Sequence, residues 1–295
     1  MANETIDVAQ IIQFSDMVHQ EAQQLQARFR PWTKIKQMTG DVFAYDGLGT
    51  VEATEVIGRH QSSTPSDIEH RRRKISRRRF VVTLWIDGSD VRGMLLNPEG
   101  EYAQACARAM ERCYDRIMAE AAFASVYTGR DFGTTVTAST DGVLTVTGTG
   151  GLTYEDLLDV KSNFTGGEVG TDVKEAFCLA ITEDEEKAMM KENQLTSGDF
   201  SRQYPIDNGE ITKALGMSLL KFGSLVSRPV LNVSGGVRDC IALAKGAICA
   251  GMSKEFAISI KDRPDLIETT QVQVIYEFGA VRTEGKLVQK LNTDE

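Results

Sequence analysis

What this sequence lacks narrows it most. Its five cysteines (Cys106, Cys113, Cys178, Cys240, Cys249) are odd in number and include no CxxC pair. Local spacing therefore assembles neither a zinc set nor a disulfide framework. The cysteines read instead as small apolar side chains buried in a reducing compartment. The three histidines, His19, His60 and His70, stand apart from one another and from the cysteines. No GxxxxGK(S/T), GxSxG or HExxH occurs, which excludes a P-loop and removes the usual marks of an esterase elbow or a zinc protease. Gly148-Thr149-Gly150-Gly151 could cradle a phosphate at a helix N-terminus. It lacks the third glycine of the dinucleotide spacing, however, and reads as a flexible link. Glu183, Asp184, Glu185 and Glu186 could be drawn around a metal, but they open a helix, where carboxylates are favoured without one. No catalytic, cofactor-binding or metal residue is expected. No apolar run reaches the ~20 residues that cross a bilayer, and MANETIDVAQ at the start has neither the positive n-region nor the apolar h-region of a signal peptide. A soluble protein made in a cytoplasm is the expectation.

Positive charge is scarce too: 33 Lys and Arg face 42 Asp and Glu, a formal −9. An acidic chain is a poor general nucleic-acid binder, because affinity for phosphates comes from Lys and Arg. Against that background stands His70–Arg79, HRRRKISRRR. It holds seven basic residues (Arg71, Arg72, Arg73, Lys74, Arg77, Arg78, Arg79) and no acidic one, so the rest of the chain sums to −9 − 7 = −16. Charge concentrated this way is costly unless it meets water, nucleic acid or an acidic surface. Phe80–Ile86 directly after it reads as a strand, so the knot lies inside folded sequence, as an ordered loop meeting a partner.

With 295 residues, 41% of them hydrophobic, the chain can bury one large core or two modest ones. Residues 5 to 30 put Ile11, Phe14, Val18, Ala22, Leu25 and Phe29 on one helical stripe, ended by Pro31. No helix follows to cover it, so a long-range or intersubunit partner is expected. Residues 41 to 92 read as a two-stranded excursion. Val42, Phe43, Tyr45 and Val51 to Ile57 form one arm, Phe80–Ile86 the return, and Gly58 to Arg79 a charged tip. Two strands alone are marginal in water, so the excursion should lie on a neighbour. Asn97 and Pro98 open a long helix that runs to Thr128, with Gly129 as its stop. Its stripe is Tyr102, Cys106, Met110, Cys113, Ile117, Ala121 and Ala124, and roughly 31 residues would make a rod of about 46 Å. Residues 134 to 149 predict a hairpin about Asp141-Gly142, and Tyr154 to Phe164 a short helix. Thr182 to Glu185 is a capping box opening a helix through Met189 and Met190. Asn208 to Ser224 reads as a helix passing into a strand, and Gly236 to Met252 as a helix or in part a strand. The end of the chain, with Val272, Val274, Tyr276, Val281, Leu287, Val288 and Leu291, reads as sheet. The class is α+β.

This order of elements resembles the major capsid proteins of tailed bacteriophages, the Hong Kong ninety-seven phage type of fold, which herpesvirus shells and bacterial encapsulins share. Three stretches are similar to that family: Gly209-Glu-Ile-Thr-Lys-Ala-Leu-Gly216-Met-Ser-Leu-Leu, Ala242-Leu-Ala-Lys245-Gly-Ala-Ile248, and Val274-Ile-Tyr-Glu-Phe-Gly279-Ala-Val-Arg-Thr-Glu-Gly285-Lys-Leu-Val288. The resemblance covers nearly the whole chain. It implies an N-terminal arm (1–40), an extended β-loop (41–96), a peripheral domain with a spine helix (97–170), an axial domain (171–263) and the return strands of the peripheral domain (264–295). It also implies a structural protein, not an enzyme, with no cofactor. Its partners would be many copies of itself in hexamers and pentamers, a portal, a scaffolding protein made as a separate chain, decoration proteins, and double-stranded DNA packaged against the inner surface, with no membrane. Made in the host cytoplasm, it would end in the virion capsid. Intersubunit contacts are expected from the basic knot (Arg71, Arg72, Arg73, Lys74, Arg77, Arg78, Arg79) and from the arm (Ile11, Phe14, Val18, Leu25, Phe29). For the knot, Glu99, Glu101, Glu183 to Glu186 and the Asp294-Glu295 tail are candidate acidic partners. Some members of the family cross-link through a lysine of the loop; this knot has one lysine, Lys74, so non-covalent locking is expected. Two alternatives stand beside this reading: an encapsulin-like shell, and a nucleic-acid-binding protein using residues 70–79.

Overall fold

The computed structural model describes residues 24–53, 55, 65–86, 99–148, 150–170, 176–192, 206–207, 210–266 and 269–294. The arm residues Ile11, Phe14 and Val18, the Asn97-Pro98 cap and the loop residues 56–64 lie outside them. In chain order the strands are β1 (Lys34–Gln37), β2 (Val42–Leu48), β3 (His70–Ser76) and β4 (Arg78–Ile86), followed by helix α1 (Glu99–Phe123). Next come β5 (Val126–Thr128), β6 (Thr134–Val136), β7 (Leu144–Thr147), α2 (Tyr154–Gly166), β8 (Phe177–Ile181) and α3 (Glu183–Lys191). Short strands β9 (Ile206–Asp207), β10 (Glu210–Ile211) and β11 (Lys213–Ala214) lead to β12 (Met217–Lys221), β13 (Val233–Ser234) and β14 (Val237–Ala244). The chain closes with β15 (Ile248–Arg263), β16 (Thr269–Arg282) and β17 (Val288–Asp294).

The chain forms two compact units. Unit one comprises Met1–Gln26, Arg79–Glu111 and Phe256–Tyr276; unit two comprises Ala27–Arg78, Arg112–Glu255 and Glu277–Glu295. In unit one β4 lies beside β16, and Gln273 Nε2 donates to Thr83 Oγ1 at 3.4 Å. Unit two is built on a sheet of order β11-β12-β8-β14-β17-β7, with β13 against β14. Its central strands β8 and β14 bury Leu179, Ala180, Ile181, Ile241, Ala242 and Leu243. Helix α2 covers one side with Leu157, Val160 and Phe164, the last stacked on Phe177 at 4.6 Å. A second sheet, β2-β3-β5-β6, carries the basic segment, and β1 runs parallel to β15 from Lys34↔Cys249 to Gln37↔Met252. Met38, Ile75, Val126, Cys249 and Val281 form a buried cluster beneath Phe43 and Tyr45.

Both helix starts in unit two follow from local chemistry. Thr153 N donates to Asp156 Oδ2 at 3.0 Å while Asp156 N donates to Thr153 Oγ1 at 3.3 Å, the reciprocal bonds of a capping box. Thr182 N donates to Glu185 Oε2 at 2.8 Å in the same way.

Several expectations are corrected. The long helix ends at Phe123, not Thr128: the guanidinium of Arg282 takes the carbonyls of Ala122 and Ala124 at 2.7 and 3.2 Å, and Val126–Thr128 joins a sheet as β5. The Asp141-Gly142 turn forms, but its flanks go to different sheets, β6 to β5 and β7 parallel to β17, so there is no hairpin. Gly236 to Met252, read as a helix or in part a strand, holds no helix: it is β14, a turn at Lys245–Ala247 and the start of β15. An apolar run buried on both faces has no period by which to tell the two apart. Within 208–224 the described residues form the short strands β10, β11 and β12, with no helix. The helical stripe does not continue through Leu25 to Phe29. The backbone N–H groups of Arg28 and Phe29 donate to the Asp115 carboxylate at 2.9 and 3.0 Å, which holds this stretch in a non-helical turn.

Candidate subunit interface

The basic segment is not a loop tip. His70–Ser76 pairs antiparallel with Val42–Leu48, residue for residue from Val42↔Ser76 to Leu48↔His70. The return strand of the excursion is therefore β3, while Phe80–Ile86 pairs β16. Alternation of the strand then sorts the charges. Arg73 and Ile75 point inward and are buried, whereas Arg72 is exposed.

Most of the arginines meet carboxylates of their own chain. Arg72 makes a bidentate pair with Asp46, the residue across the ladder, at 2.7 and 3.1 Å. Arg71 reaches Glu69 at 2.9 Å. The hydrogen bond from Arg72 holds Asp46 below the ordinary carboxylate value, and that from Arg71 does the same for Glu69. Arg77 bridges Asp41 and the buried Glu277, the latter at 3.2 Å, and Arg78 pairs with Glu120 at 3.1 Å. Arg73 is 3% exposed and grips both oxygens of Asp141, at 2.7 and 2.8 Å. A second arginine, Arg282, fully buried, donates to the same carboxylate from Nε at 2.8 Å. Burial pushes Asp141 up, yet the two arginines outweigh it and hold the carboxyl below its ordinary value; burial pulls Arg282 down. Lys74 differs: its ammonium lies 5.9 Å from the centre of the Tyr127 ring and has no acidic partner among the described residues.

Two expected contact residues are thus committed inside the subunit. Arg73 is enclosed with Asp141, and Phe29 is buried against Phe222, ring centres 5.1 Å apart. Leu25 is 62% exposed. Three of the acidic residues expected to meet the knot have partners elsewhere in the chain. Glu183 accepts from Ser224 N at 3.1 Å, Glu185 from Thr293 Oγ1 at 2.9 Å, and Glu186 pairs with Lys221 at 2.6 Å. The partners that matter, Asp41, Asp46, Glu120, Asp141 and Glu277, were not singled out from sequence beyond the Asp141-Gly142 turn signal, because all but Asp46 and Asp41 are remote in the chain. These pairs offset part of the knot's charge within the subunit, while Arg71, Arg72 and Arg78 keep about half of their side chains exposed.

All five cysteines are buried and unpaired. Burial pushes Cys178 and Cys240 far above the ordinary thiol value and Cys249 to about 11. Among the described residues no group of His, Cys, Asp and Glu is placed to hold a metal, and no helix is long and apolar enough to cross a membrane.

Folds of this kind occur in solved phage capsids. The capsid protein of Helicobacter pylori bacteriophage KHP30 superposes with a TM-score of 0.72 over 99% of this chain and 98% of its own, at 10% identity. That of cyanophage P-SCSP1u gives 0.71 over 100% and 96% at 14% identity, and that of cyanophage Pam1 gives 0.70 over the full length of both chains at 12% identity. At such identities the likeness is one of fold. No curated protein matches in sequence. The family model described as phage capsid protein matches residues 6–295, and the chain accordingly belongs to the phage capsid protein family.

Proposed function

We propose that the protein is the major capsid protein of a tailed phage, the repeating subunit of an icosahedral shell around double-stranded DNA. The observation that carries this reading is the family match over residues 6–295, seconded by full-length superposition on solved phage capsids. Pentamers and hexamers of the chain build the shell, with a portal, a separate scaffolding protein and decoration proteins as further partners. Synthesis takes place in the host cytoplasm. The arm, with Ile11, Phe14, Val18 and the exposed Leu25, and the β2–β3 ribbon with its loop are the intersubunit elements. The exposed side chains of Leu48, Arg71 and Arg72 at the outer end of the ribbon are the ones it offers to a neighbouring subunit. Cohesion is non-covalent.

Electron microscopy of the purified protein tests the reading. Large closed particles are expected. A chain that stays monomeric at high concentration, in the presence of co-expressed phage assembly factors, would overturn it.

A further inference from the structure

Among the described residues the chain is first buried at Ala27 and Phe29; Leu25 and Gln26 just before them are exposed. Asp115 marks that change. Its two carboxylate oxygens accept the backbone N–H groups of Arg28 and Phe29, one each, at 2.9 and 3.0 Å. Phe222 closes on the same two residues: its ring stacks on Phe29, centres 5.1 Å apart, and its centre lies 5.3 Å from the Arg28 guanidinium. Tyr114, beside Asp115 on α1, shares a hydrogen bond of 2.7 Å with the hydroxyl of Thr33, and Trp32 O accepts from Gly246 N at 2.8 Å. All of these groups belong to unit two.

Asp115 is costly where it stands. It is fully buried, and about two turns separate it from the nearer end of α1, too far for the helix dipole to favour it. Charge-assisted bonds to donors offset such a cost. Here the donors are main-chain groups 87 and 86 residues earlier in the chain. Bonds to main chain fix the path of the polypeptide, and the path they fix is the root of the arm.

We propose that Asp115 is the anchor of the N-terminal arm, the positioning residue that ties the arm's root to α1 so that its grip on a second copy is held by the subunit's core. With the anchor gone, the root has to be ordered anew whenever the arm engages, at a cost of at least about one residue's backbone entropy. This rests on the capsid reading above, with the arm as an intersubunit element, and names the residue through which the arm acts.

A double-mutant cycle on the full-length chain tests the anchor, with sedimentation giving the subunit concentration at half assembly for the wild type, L25D, D115N and the double variant. In D115N an amide NH2 faces a backbone N–H and one bond is lost. L25D and D115N each raise that concentration about tenfold, the factor for one lost leucine burial or one residue re-ordered. The double variant stays at about tenfold, because an arm that no longer grips asks nothing of its root; independent defects would multiply to about a hundredfold. In the free D115N subunit the amides of Arg28 and Phe29 exchange faster, while those of β8 and β14 keep their protection. Should D115N fail to fold, Phe222→Leu, which unstacks Phe29 and leaves the carboxylate in place, takes its position in the same cycle. Normal assembly of D115N, a hundredfold effect in the double variant, or undiminished protection at Arg28 and Phe29 each overturn the anchor. An L25D chain that assembles normally overturns the arm's grip and the anchor with it. Wild-type subunits that form no particles overturn the capsid reading instead.

Discussion

Asp141 answers two buried guanidiniums at once. Arg282 also gives Nη1 to the carbonyls of Ala122 and Ala124, so its charge meets the negative end of α1 as well as the carboxylate. Taking away the carboxylate leaves two cations facing each other out of water, and Asp141→Asn should cost about 3–5 kcal/mol. Urea unfolding of the free subunit measures it. The pH dependence has a definite sign. The folded value lies below the ordinary 3.8, so this contribution is complete above that pH and is lost as pH falls through the lower folded value. The wild type should weaken in that acid window, and the Asn variant should lack this step. Two glycines guard the same region. A Cβ on Gly285 would sit 2.0 Å from the carbonyl oxygen of Asp141, and one on Gly279 would sit 2.1 Å from that of Ser76. Only a hydrogen side chain lets the backbones approach this closely.

At the scale of elements, α3 begins where its capping box says it should. Thr182→Ala removes one half of that box and should cost about 1 kcal/mol, seen as faster hydrogen exchange over Glu183–Glu186. The starts of α2 and α3 were legible because a cap is a matter of neighbouring residues, Thr153 with Asp156 and Thr182 with Glu185. The closing strands were legible from alternation, Val272, Val274 and Tyr276 all pointing into the core. Strands β14 and β15 were not, because Cys240 to Ala244 and Ile248 to Ala250 are buried on both faces and carry no period. The end of α1 was hidden for a different reason: Ala121 to Thr128 has no local stop before Gly129, and what ends the helix is Arg282, some 160 residues away. The basic knot was visible by charge density alone. Its secondary structure was masked by that same density, since six arginines and a lysine leave Ile75 as the only apolar beat of a strand. Its partners were invisible, because Arg73 finds Asp141 across 68 residues and Arg77 finds Glu277 across 200.

For the whole molecule, the last described strand is an interior strand of its sheet, not an edge. β17 sits between β14, which it pairs antiparallel, and β7, which it pairs in parallel. A chain stopped after Lys286 strands both neighbours, and limited proteolysis should find no resistant core in unit two and microscopy no particles. The Arg73–Asp141–Arg282 cluster has the same dependence on late sequence, and this bears on timing during translation. Arg73 precedes Arg282 by 209 residues, roughly 10–40 s of synthesis at cellular elongation rates. Throughout that interval the nascent chain holds a guanidinium whose burial site is incomplete. A polypeptide still tethered to a ribosome is therefore not a finished subunit, and neither is a prematurely terminated one. Released chains, and not nascent ones, are accordingly the species expected to add to a growing shell.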